Sequence, residues 1–243
     1  MNKEEYEIMY RLEDTHWWYV GMRRIVFDFL KHIAKDGQLS VLDAGCGTGG
    51  MLQHLRQYGT AVGVDICQEA LEFSQQRGLK RLVMASVGDL PFESASFDLI
   101  VSFDVLYHMA VEDDIAALKE FRRLLKPGGH VLLRLPACDW LRGSHDEAVH
   151  TRQRYSASDL REKMHQAGFT VKRLTYANSI LFPAAALKRV CEMSFKLRGG
   201  SDVKEVSPIM NTALTAVLGI EAKALKLANL PWGLSVFALG KAI

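Results

Sequence analysis

The sequence predicts an α/β protein whose core is a doubly wound, seven-stranded and mostly parallel sheet. Apolar, strand-like runs alternate with helical periodicities along the 243-residue chain, which is the pattern that a parallel sheet flanked by helices requires. The first of these runs enters a glycine-rich turn at 45–49 and continues into a helical pattern. A strand that leads into a helix through such a turn is typical of Rossmann-like sheets, which bind ligands beyond the carboxyl ends of their strands.

The hydrophobic spacing predicts the individual elements. Apolar residues recur at helical intervals over 22–33, which predicts a helix packed on the sheet before the first strand. A helix carrying apolar residues inward over 115–125 should stop at the Pro-Gly-Gly sequence 127–129. Ser156 and Asp159 form a capping-box pattern for a further helix. Strands are predicted near 39–44, 60–65, 81–85, 97–103, 130–135, 169–176 and 234–241.

This pattern divides the chain into four segments. Residues 1–36 are predicted to form a helical lid and the first sheet-packing helix, and residues 37–177 the ligand-binding core. Residues 178–230 are predicted to be a helical insertion, and residues 231–243 the last strand.

The insertion shows two stretches of helical periodicity, 181–190 and 210–227, separated by a glycine-containing break at 198–201. We interpret the two helices as a cover over the ligand site. The alternatives are an extension of the core, a dimer contact, or a helix lying on a membrane surface, although the excess of basic residues is small for the last of these.

Composition favours a cytoplasmic enzyme. A net charge of +2 and a pI near 8.3 lack the strongly basic character that is usual in nucleic-acid-binding domains. Four widely separated cysteines have no metal or redox spacing, so we expect them to be reduced. The sequence shows no leader and no apolar run of about 18 residues. We therefore expect a monomer or homodimer without a stable membrane span, acting on a small molecule and not on nucleic acid.

The turn at 43–49 predicts a nucleotide-type pocket. Its glycines permit backbone angles that are closed to other residues and let a ligand approach the main chain. Asp65 ends the second strand about 20 residues later, where a carboxylate in a βαβ unit reaches ribose hydroxyls. The spacing is G-x-G-x-G and not the dinucleotide pattern G-x-G-x-x-G. Asp43, just before the turn, suits a cationic ligand.

The sequence Asp-Ala-Gly-Cys-Gly-Thr-Gly at 43–49 resembles the first motif of class I S-adenosylmethionine-dependent methyltransferases. Leu-Pro-Phe at 90–92, Ser-Phe-Asp-Leu-Ile-Val at 96–101 and Leu-Lys-Pro-Gly-Gly at 125–129 match the same family in order and spacing. The His-Trp-Trp-Tyr sequence at 16–19 is similar to that of small-molecule members. The resemblance implies S-adenosylmethionine as cofactor and S-adenosylhomocysteine as product. The family usually has a short hairpin where this chain has its insertion.

The resemblance also implies cofactor contacts. Gly45 and Gly47 would let the backbone approach the ligand, and Asp43 would act through the amino group or by ordering the turn. Asp65 would accept from both ribose hydroxyls. Ile66 would cover one face of the adenine.

Other cofactor positions depart from the family pattern or come from strand ends. The position that often holds an adenine-binding acid falls on Ser86, followed by Val87, with Asp89 as the alternative. Phe103 ends the fourth strand, where a carbonyl tends to meet the methionine amino group. Asp104 follows it and could instead cap the next helix.

The N-terminal aromatic cluster predicts a lid. Trp17, Trp18 and Tyr19 could close over a sulfonium by excluding water and by cation–π attraction, or could anchor the first helix. Arg23 follows at a spacing that can reach the methionine carboxylate.

The acceptor site is predicted after the fourth and fifth strands. His145, with His108 as second choice, is the candidate general base, because histidine titrates near neutral pH. A surface or hydrogen-bonding role is the alternative for each. Substrate contacts are predicted for Tyr19, His108, His145, His150, Arg154 and Tyr155. The alternative for Arg154 and Tyr155 is that they solvate the loop and pair with Asp146 and Glu147. We predict no metal site, since His145 and His150 would lie on different faces of a helix.

These observations predict a methyltransferase acting on a small, partly apolar metabolite, with an aromatic or isoprenoid-like molecule as first candidate. The alternatives are an O- or N-methyltransferase of sugar or polyketide tailoring, and a module that binds the cofactor without transferring methyl groups. The sequence leaves the acceptor atom open.

Overall fold

The computed structural model describes residues 3–31, 33, 38–194 and 205–243, without the side chains at 144–145 and 193–194. Its centre is a seven-stranded sheet with the strand order β3-β2-β1-β4-β5-β7-β6. β7 runs antiparallel to both of its neighbours, β5 and β6, and the pairs among β1 to β5 are parallel. The strands are β1 Leu39–Ala44, β2 Gly59–Asp65, β3 Leu82–Met84, β4 Phe97–Phe103, β5 Leu125–Pro136, β6 Phe169–Ala177 and β7 Ser235–Ala242.

The predicted fold class is confirmed, and the strand predictions agree within a few residues except at β5. That strand begins at Leu125, directly after the preceding helix, whereas the sequence predicted a turn at 127–129 and a strand from 130. Leu125 leaves the helix with extended dihedrals and pairs with Phe97 on β4. The Pro-Gly-Gly sequence therefore forms an irregularity within the paired strand, with Gly128 at φ +80°.

Helices cover both faces of the sheet. Ser156 accepts a hydrogen bond from the amide of Asp159, which confirms the predicted helix start there. The helices are α1 Lys3–Leu12, α2 Trp17–Leu30, α3 Gly50–Leu55, α4 Gln68–Gln76, α5 Asp114–Leu124, α6 Ser144–Ala148, α7 Ala157–Gln166, α8 Phe182–Ser194 and α9 Pro208–Leu225, and short 3₁₀ turns occur at Arg56–Tyr58 and Asp139–Leu141.

The hydrophobic core has two layers, one on each face of the sheet. Met22, Val26 and Phe29 of α2 pack against one face, and Leu118 and Phe121 of α5 belong to the cluster on the other. Phe29 stacks on Phe237 of β7 with ring centroids 5.7 Å apart. Because both faces of the sheet are covered, its carboxyl-terminal edge is the place where polar and binding groups can collect.

The two helices of the insertion pack in different places. A Cβ at Gly21 of α2 would lie 2.3 Å from Leu218, so α9 crosses α2 at close range. Asn211 of α9 accepts from the amide of Trp17 and donates to the carbonyl of Thr15. α9 therefore extends the core, whereas α8 borders a cavity at the sheet edge. The predicted break at 198–201 lies outside the described residues. Within the described part of the chain, no helix is long and apolar enough to cross a membrane.

Candidate active site

A cavity of about 850 Å³ lies at the carboxyl ends of β1, β2, β4 and β5. We name its two ends by their lining. The glycine-turn end is lined by Asp43, Gly45, Gly47, Asp65 and Ile66, and the α8 end by Arg134, Leu141, Val149, Arg154 and Arg189. α1 borders the first end and α8 the second.

The glycine turn is fixed by both packing and hydrogen bonding. The amides of Gly45 and Cys46 donate to the carbonyl of Val64 on the neighbouring strand, each at 2.8 Å. Gly45 has φ +89°, and a Cβ there would lie 2.1 Å from Val105. Packing against Val105 therefore requires a glycine at 45, and Gly45 also lines the cavity, where contact with a ligand stays a prediction. At Gly47, where φ is +55°, an added Cβ would lie 3.3 Å from the sulfur of Met9 of α1.

Asp65 is held in place by main-chain donors. Its Oδ2 accepts from the amide of Gly47 and its Oδ1 from the amide of Cys67, both at 2.9 Å. Burial raises the pKa of Asp65, although these amide bonds lower it. Each carboxylate oxygen has a second lone pair, so both can still accept from a ligand hydroxyl. Ile66 follows, 57% exposed and lining the cavity.

Asp43 has the most perturbed carboxylate at this end. It is buried, and its Oδ2 has no hydrogen-bond partner. Burial, followed by the negative charges of Asp65 and Glu13, raises the pKa of Asp43 to about 8. An unpartnered buried carboxylate beside a cavity is stabilised when a cation arrives, because the cation favours the ionised form.

The remaining predicted cofactor positions lie on the same cavity. Ser86, Val87 and Phe103 line it, and Ser86 Oγ accepts from the amide of Gly88 at 3.2 Å. Asp89, the alternative to Ser86, is exposed and does not belong to the lining. Asp104 lines the cavity and accepts from Arg134 Nε at 2.9 Å. Asp104 is therefore part of an ion pair, not a helix cap.

The N-terminal aromatic residues line the cavity, but Trp18 makes a contact that the sequence did not predict. The guanidinium of Arg134 lies 4.7 Å from the centre of the Trp18 ring. Trp18 thus makes a cation–π contact with an arginine of β5, and closure of the aromatic residues over a sulfonium stays a prediction. Tyr19 packs edge-on against Trp18 at 4.9 Å, and burial raises its pKa. Arg23 lines the cavity and donates to the carbonyls of Glu13 and Asp14.

Helix α1 belongs to the segment 1–36 for which the sequence predicts a helical lid, and it forms a roof over the glycine-turn end. Tyr6 and Met9 of α1 line the glycine-turn end, and α1 is joined to the turn through Glu13. Buried Glu13 accepts from the hydroxyl of Thr48 and pairs with Arg77 at 2.9 Å. The sequence predicted the lid but not the contacts of Glu13 that join it to the turn.

The predicted acceptor residues separate into those that line the cavity and those that do not. His108 lines it; its Nδ1 accepts from the amide of Ala110, and burial lowers its pKa to about 4. His150 is outside the lining and lies against the His108 ring at 5.6 Å. The backbone of His145 lies in α6, but its side chain is outside the described part of the structure.

Arg154 and Tyr155 form hydrogen bonds with other side chains of the protein. Arg154 lines the cavity, but it donates through two nitrogens to Asp146, at 2.9 and 3.0 Å. Tyr155 does not reach the cavity. It is buried, and its hydroxyl donates to Asp114 at 2.7 Å. The substrate-binding prediction for Tyr155 is corrected, because the backbone pairing of 155 with Ala137 turns its ring into the core.

The strand order with its antiparallel β7, the glycine turn and the carboxylate at the end of β2 together define a Rossmann-like domain of the methyltransferase class. Residues 42–133 match the family model described as "Methyltransferase domain".

Known proteins agree with this class. The human "Probable tRNA methyltransferase 9B" is 38% identical over 100 residues, which are 41% of this chain and 21% of that protein. O-methyltransferase resE of Aspergillus sclerotiorum is 27% identical over 212 residues, 79% of this chain and 78% of that protein. Among solved structures, the methyltransferase in a complex with the Haloferax volcanii Trm112 methyltransferase activator has a TM-score of 0.62 at 19% identity, with 99% of this chain and 94% of that chain covered.

Residues 42–133 carry a methyltransferase domain, and the chain has the fold of S-adenosylmethionine-dependent methyltransferases. The residues at the glycine-turn end fit this cofactor: Asp65 offers acceptors for ribose hydroxyls, Ile66 an apolar surface, and Asp43 a buried carboxylate for a cation. The match covers only 21% of the human relative's length, so it concerns the domain and not that protein as a whole.

Proposed function

We propose that this chain transfers a methyl group from S-adenosylmethionine to a small, partly apolar metabolite. The observation that carries this proposal is the shape and lining of the cavity. It continues from the glycine turn to α8, and aromatic or aliphatic side chains such as Trp17, Tyr107, Leu141 and Val149 border it. Pockets for small molecules are mostly apolar, with a few placed polar groups, and about 850 Å³ is in their usual range.

Methyl transfer places few chemical demands on the protein. The bound cofactor supplies a methyl group already activated by positive sulfur. The chain has to align the acceptor with that carbon and exclude water, and α1, α2 and α8 border the cavity in positions suited to that role. Asp65 would hold the ribose, Ser86 and Val87 the adenine, and Phe103 and Arg23 the methionine part.

A base is needed only when the acceptor atom arrives protonated. We propose His145 for this role. His108 suits a different one, because an Nδ1 that accepts from Ala110 leaves the proton of neutral imidazole on Nε2. His108 would then donate a hydrogen bond to the acceptor. His145→Ala should lower kcat by about a hundredfold with unchanged cofactor affinity, since general-base assistance contributes about 10² to 10⁴ in rate. An effect on KM alone would make His145 an acceptor-binding residue.

A nucleic-acid acceptor is the second candidate, and the similarity to tRNA methyltransferase 9B favours it. A small metabolite and a tRNA place different requirements on the surface around the entrance of the site. A tRNA needs a basic surface around an open mouth, and the net charge here is only +2. An activator protein such as the one bound in the Haloferax volcanii complex would be a further requirement of that candidate.

One experiment separates these candidates. The protein is incubated with methyl-labelled S-adenosylmethionine together with either a fractionated metabolite extract or total tRNA. Label in a small-molecule fraction, lost in Asp65→Ala, supports the proposal. Label in tRNA contradicts it. No transfer to either substrate by a protein that binds the cofactor would identify a cofactor-binding module instead.

A further inference from the structure

Asn178, between β6 and α8, carries a buried polar group that the fold itself does not use. The residue lines the cavity and is only 2% exposed. Its Oδ1 has no hydrogen-bond partner among the described residues. A buried acceptor without a partner lowers stability, and such atoms are rare in folded proteins. The position of this one on a cavity wall indicates that its partner is a ligand.

The backbone at Asn178 does not by itself explain the side chain. Its φ is +59°, in the left-handed region, which asparagine tolerates better than most residues. Glycine adopts this conformation more readily still and would leave no buried polar atom. Asparagine at this position therefore adds a carboxamide to the cavity wall that the turn does not require.

The turn that carries Asn178 is fixed from two sides. Glu221 of α9 is 1% exposed and accepts hydrogen bonds from three successive amides, those of Asn178, Ser179 and Ile180. The hydroxyl of Ser179 donates to the carbonyl of Trp232, just before β7. These bonds use the backbone of Asn178 and not its side chain. The carboxamide is thus held beside the cavity by a rigid turn, which is the arrangement that a specific binding group needs.

The sheet places a second polar group beside this turn. Ser235 of β7 pairs with Ala177 on one side and with Pro136 on the other, and Ser235 and Pro136 both line the cavity, as does Leu234. A carboxamide and a hydroxyl therefore lie next to apolar side chains, as is usual in pockets for small molecules. Burying a charge requires an opposite charge, which neither group supplies. This part of the wall suits an uncharged polar group.

Resting on the function proposed above, we propose that Asn178 determines specificity by binding, through Oδ1, an uncharged hydroxyl or amino group of the methyl acceptor. An oxygen acceptor requires a ligand group that donates, and both of these groups do. The terminal torsion of an asparagine side chain has only broad preferences, so the carboxamide can turn toward a ligand at little cost. A molecule that lacks the donor leaves Oδ1 unpaired and binds less tightly.

Ligands that differ in one group test this proposal. The protein loaded with S-adenosylhomocysteine is dialysed to equilibrium against 1-naphthol, 1-naphthylamine or 1-methylnaphthalene, which carry a hydroxyl, an amino or a methyl group at the same position. The affinity of each of the first two is divided by that of 1-methylnaphthalene. In Asn178→Gly at least one of the two ratios should be at least about fivefold lower than in the wild type, which corresponds to about 1 kcal/mol.

The ratio that falls identifies the group that Asn178 binds. Two unchanged ratios overturn the proposal, and so does a wild-type protein that binds none of the three compounds.

Further variants separate binding from a structural role. Asn178→Gly should be at least as stable as the wild type, because glycine accepts φ +59° and the carboxamide has no bond to lose at Oδ1. Asn178→Asp keeps an oxygen acceptor and should keep the affected ratio within about twofold of the wild type; its loss there too would overturn the assignment to Oδ1. Ala95→Gly is the matched control.

Ala95 has a similar φ, +57°, on an exposed turn that does not line the cavity, so its replacement should leave both ratios unchanged. A lower melting temperature of Asn178→Gly together with unchanged ratios would make Asn178 a structural residue of the turn, and the proposal fails.

The outcome is separable from that of the proposed function. Transfer of label to tRNA, or to nothing, contradicts the proposed methylation of a metabolite whatever the dialysis shows. Transfer to a small-molecule fraction together with unchanged affinity ratios leaves that function standing and removes only the role of Asn178.

Discussion

The two ends of the cavity are built by different means. At the glycine-turn end, most contacts join main-chain groups to residues less than 25 positions away, such as the bond from the Gly47 amide to Asp65. At the α8 end, side chains from β5, the loop after it and the insertion meet, as when Arg189 packs over Gly143. The first end depends on backbone conformation and therefore tolerates little change. The second depends on ion pairs and can be altered residue by residue.

The largest expected effect is at the glycine turn. Gly45→Ala would combine backbone strain at φ +89° with a Cβ 2.1 Å from Val105. Each of these costs about 1–3 kcal/mol, so we expect the free energy of unfolding to fall by about 4 kcal/mol. Chemical denaturation measures this. Gly78→Ala is the matched control, because φ is +77° but nothing lies within 4 Å of the added Cβ. Gly78→Ala should lower the free energy of unfolding by only about 1 kcal/mol. An equal loss in both variants would refute the argument that packing against Val105 matters.

The next effect is at the α8 end, where Arg154→Met would leave Asp146 buried without its partner. Their side chains are 10% and 7% exposed, and removing one member of such a pair costs about 3 kcal/mol. Arg142→Met is the control in the same loop. The side chains of Arg142 and Asp139, which form an ion pair, are 41% and 66% exposed. Arg142→Met should therefore lower the free energy of unfolding by less than about 1 kcal/mol. Thermal unfolding compares the two variants, and similar melting temperatures would contradict the distinction.

This ion pair also predicts a pH dependence. Hydrogen bonds from Arg154 and its charge hold the pKa of Asp146 below its usual value, although burial opposes them. Because the pKa is lower in the folded state, the stabilisation is complete above the unfolded value of about 3.9 and is lost as the pH falls through the folded pKa. Asp146→Asn should therefore show a weaker loss of stability below about pH 4 than the wild type.

A smaller effect is expected at Asp65. Asp65→Ala should weaken binding of S-adenosylmethionine more than tenfold, because hydrogen bonds to a charged group contribute about 1.5–3 kcal/mol each. Asp89→Ala should bind normally, since Asp89 does not line the cavity. Calorimetric titration measures both. Unchanged affinity in folded Asp65→Ala would place the ribose elsewhere.

The smallest expected effect is the release of a proton when the cofactor binds. With the pKa of Asp43 near 8, its carboxyl is mostly protonated at pH 7 in the free protein. A cationic cofactor favours the carboxylate, so binding should release close to one proton, and affinity should rise with pH up to about 8. Titrations at pH 7 in two buffers of different ionisation enthalpy measure this release, and Asp43→Asn should abolish it. Identical apparent enthalpies for the wild type would show that Asp43 does not respond to the cofactor.

The glycine-turn end could be predicted from sequence because its contacts are local. The glycine spacing and the distance from Asp43 to Asp65 already place these groups at one sheet edge, once the strands are recognised. Even there, the sequence did not show that Val105, 60 positions away, packs against Gly45. The contacts that join the predicted N-terminal lid to the turn were missed for the same reason. The Glu13–Thr48 contact joins residues 35 positions apart.

Sequence alone determined the fold class and most strand positions, because alternating apolar runs and a glycine turn report on local backbone preference and burial. The cofactor followed from the resemblance of the sequence motifs to those of class I methyltransferases. The sequence did not decide which helix of the insertion lines the cavity, because helical periodicity does not identify the surface on which a helix packs. Nor did it show that Tyr155 points into the core, or decide that Arg154 pairs with Asp146. Those outcomes depend on which distant side chains meet once the sheet has formed, and only tertiary packing decides that.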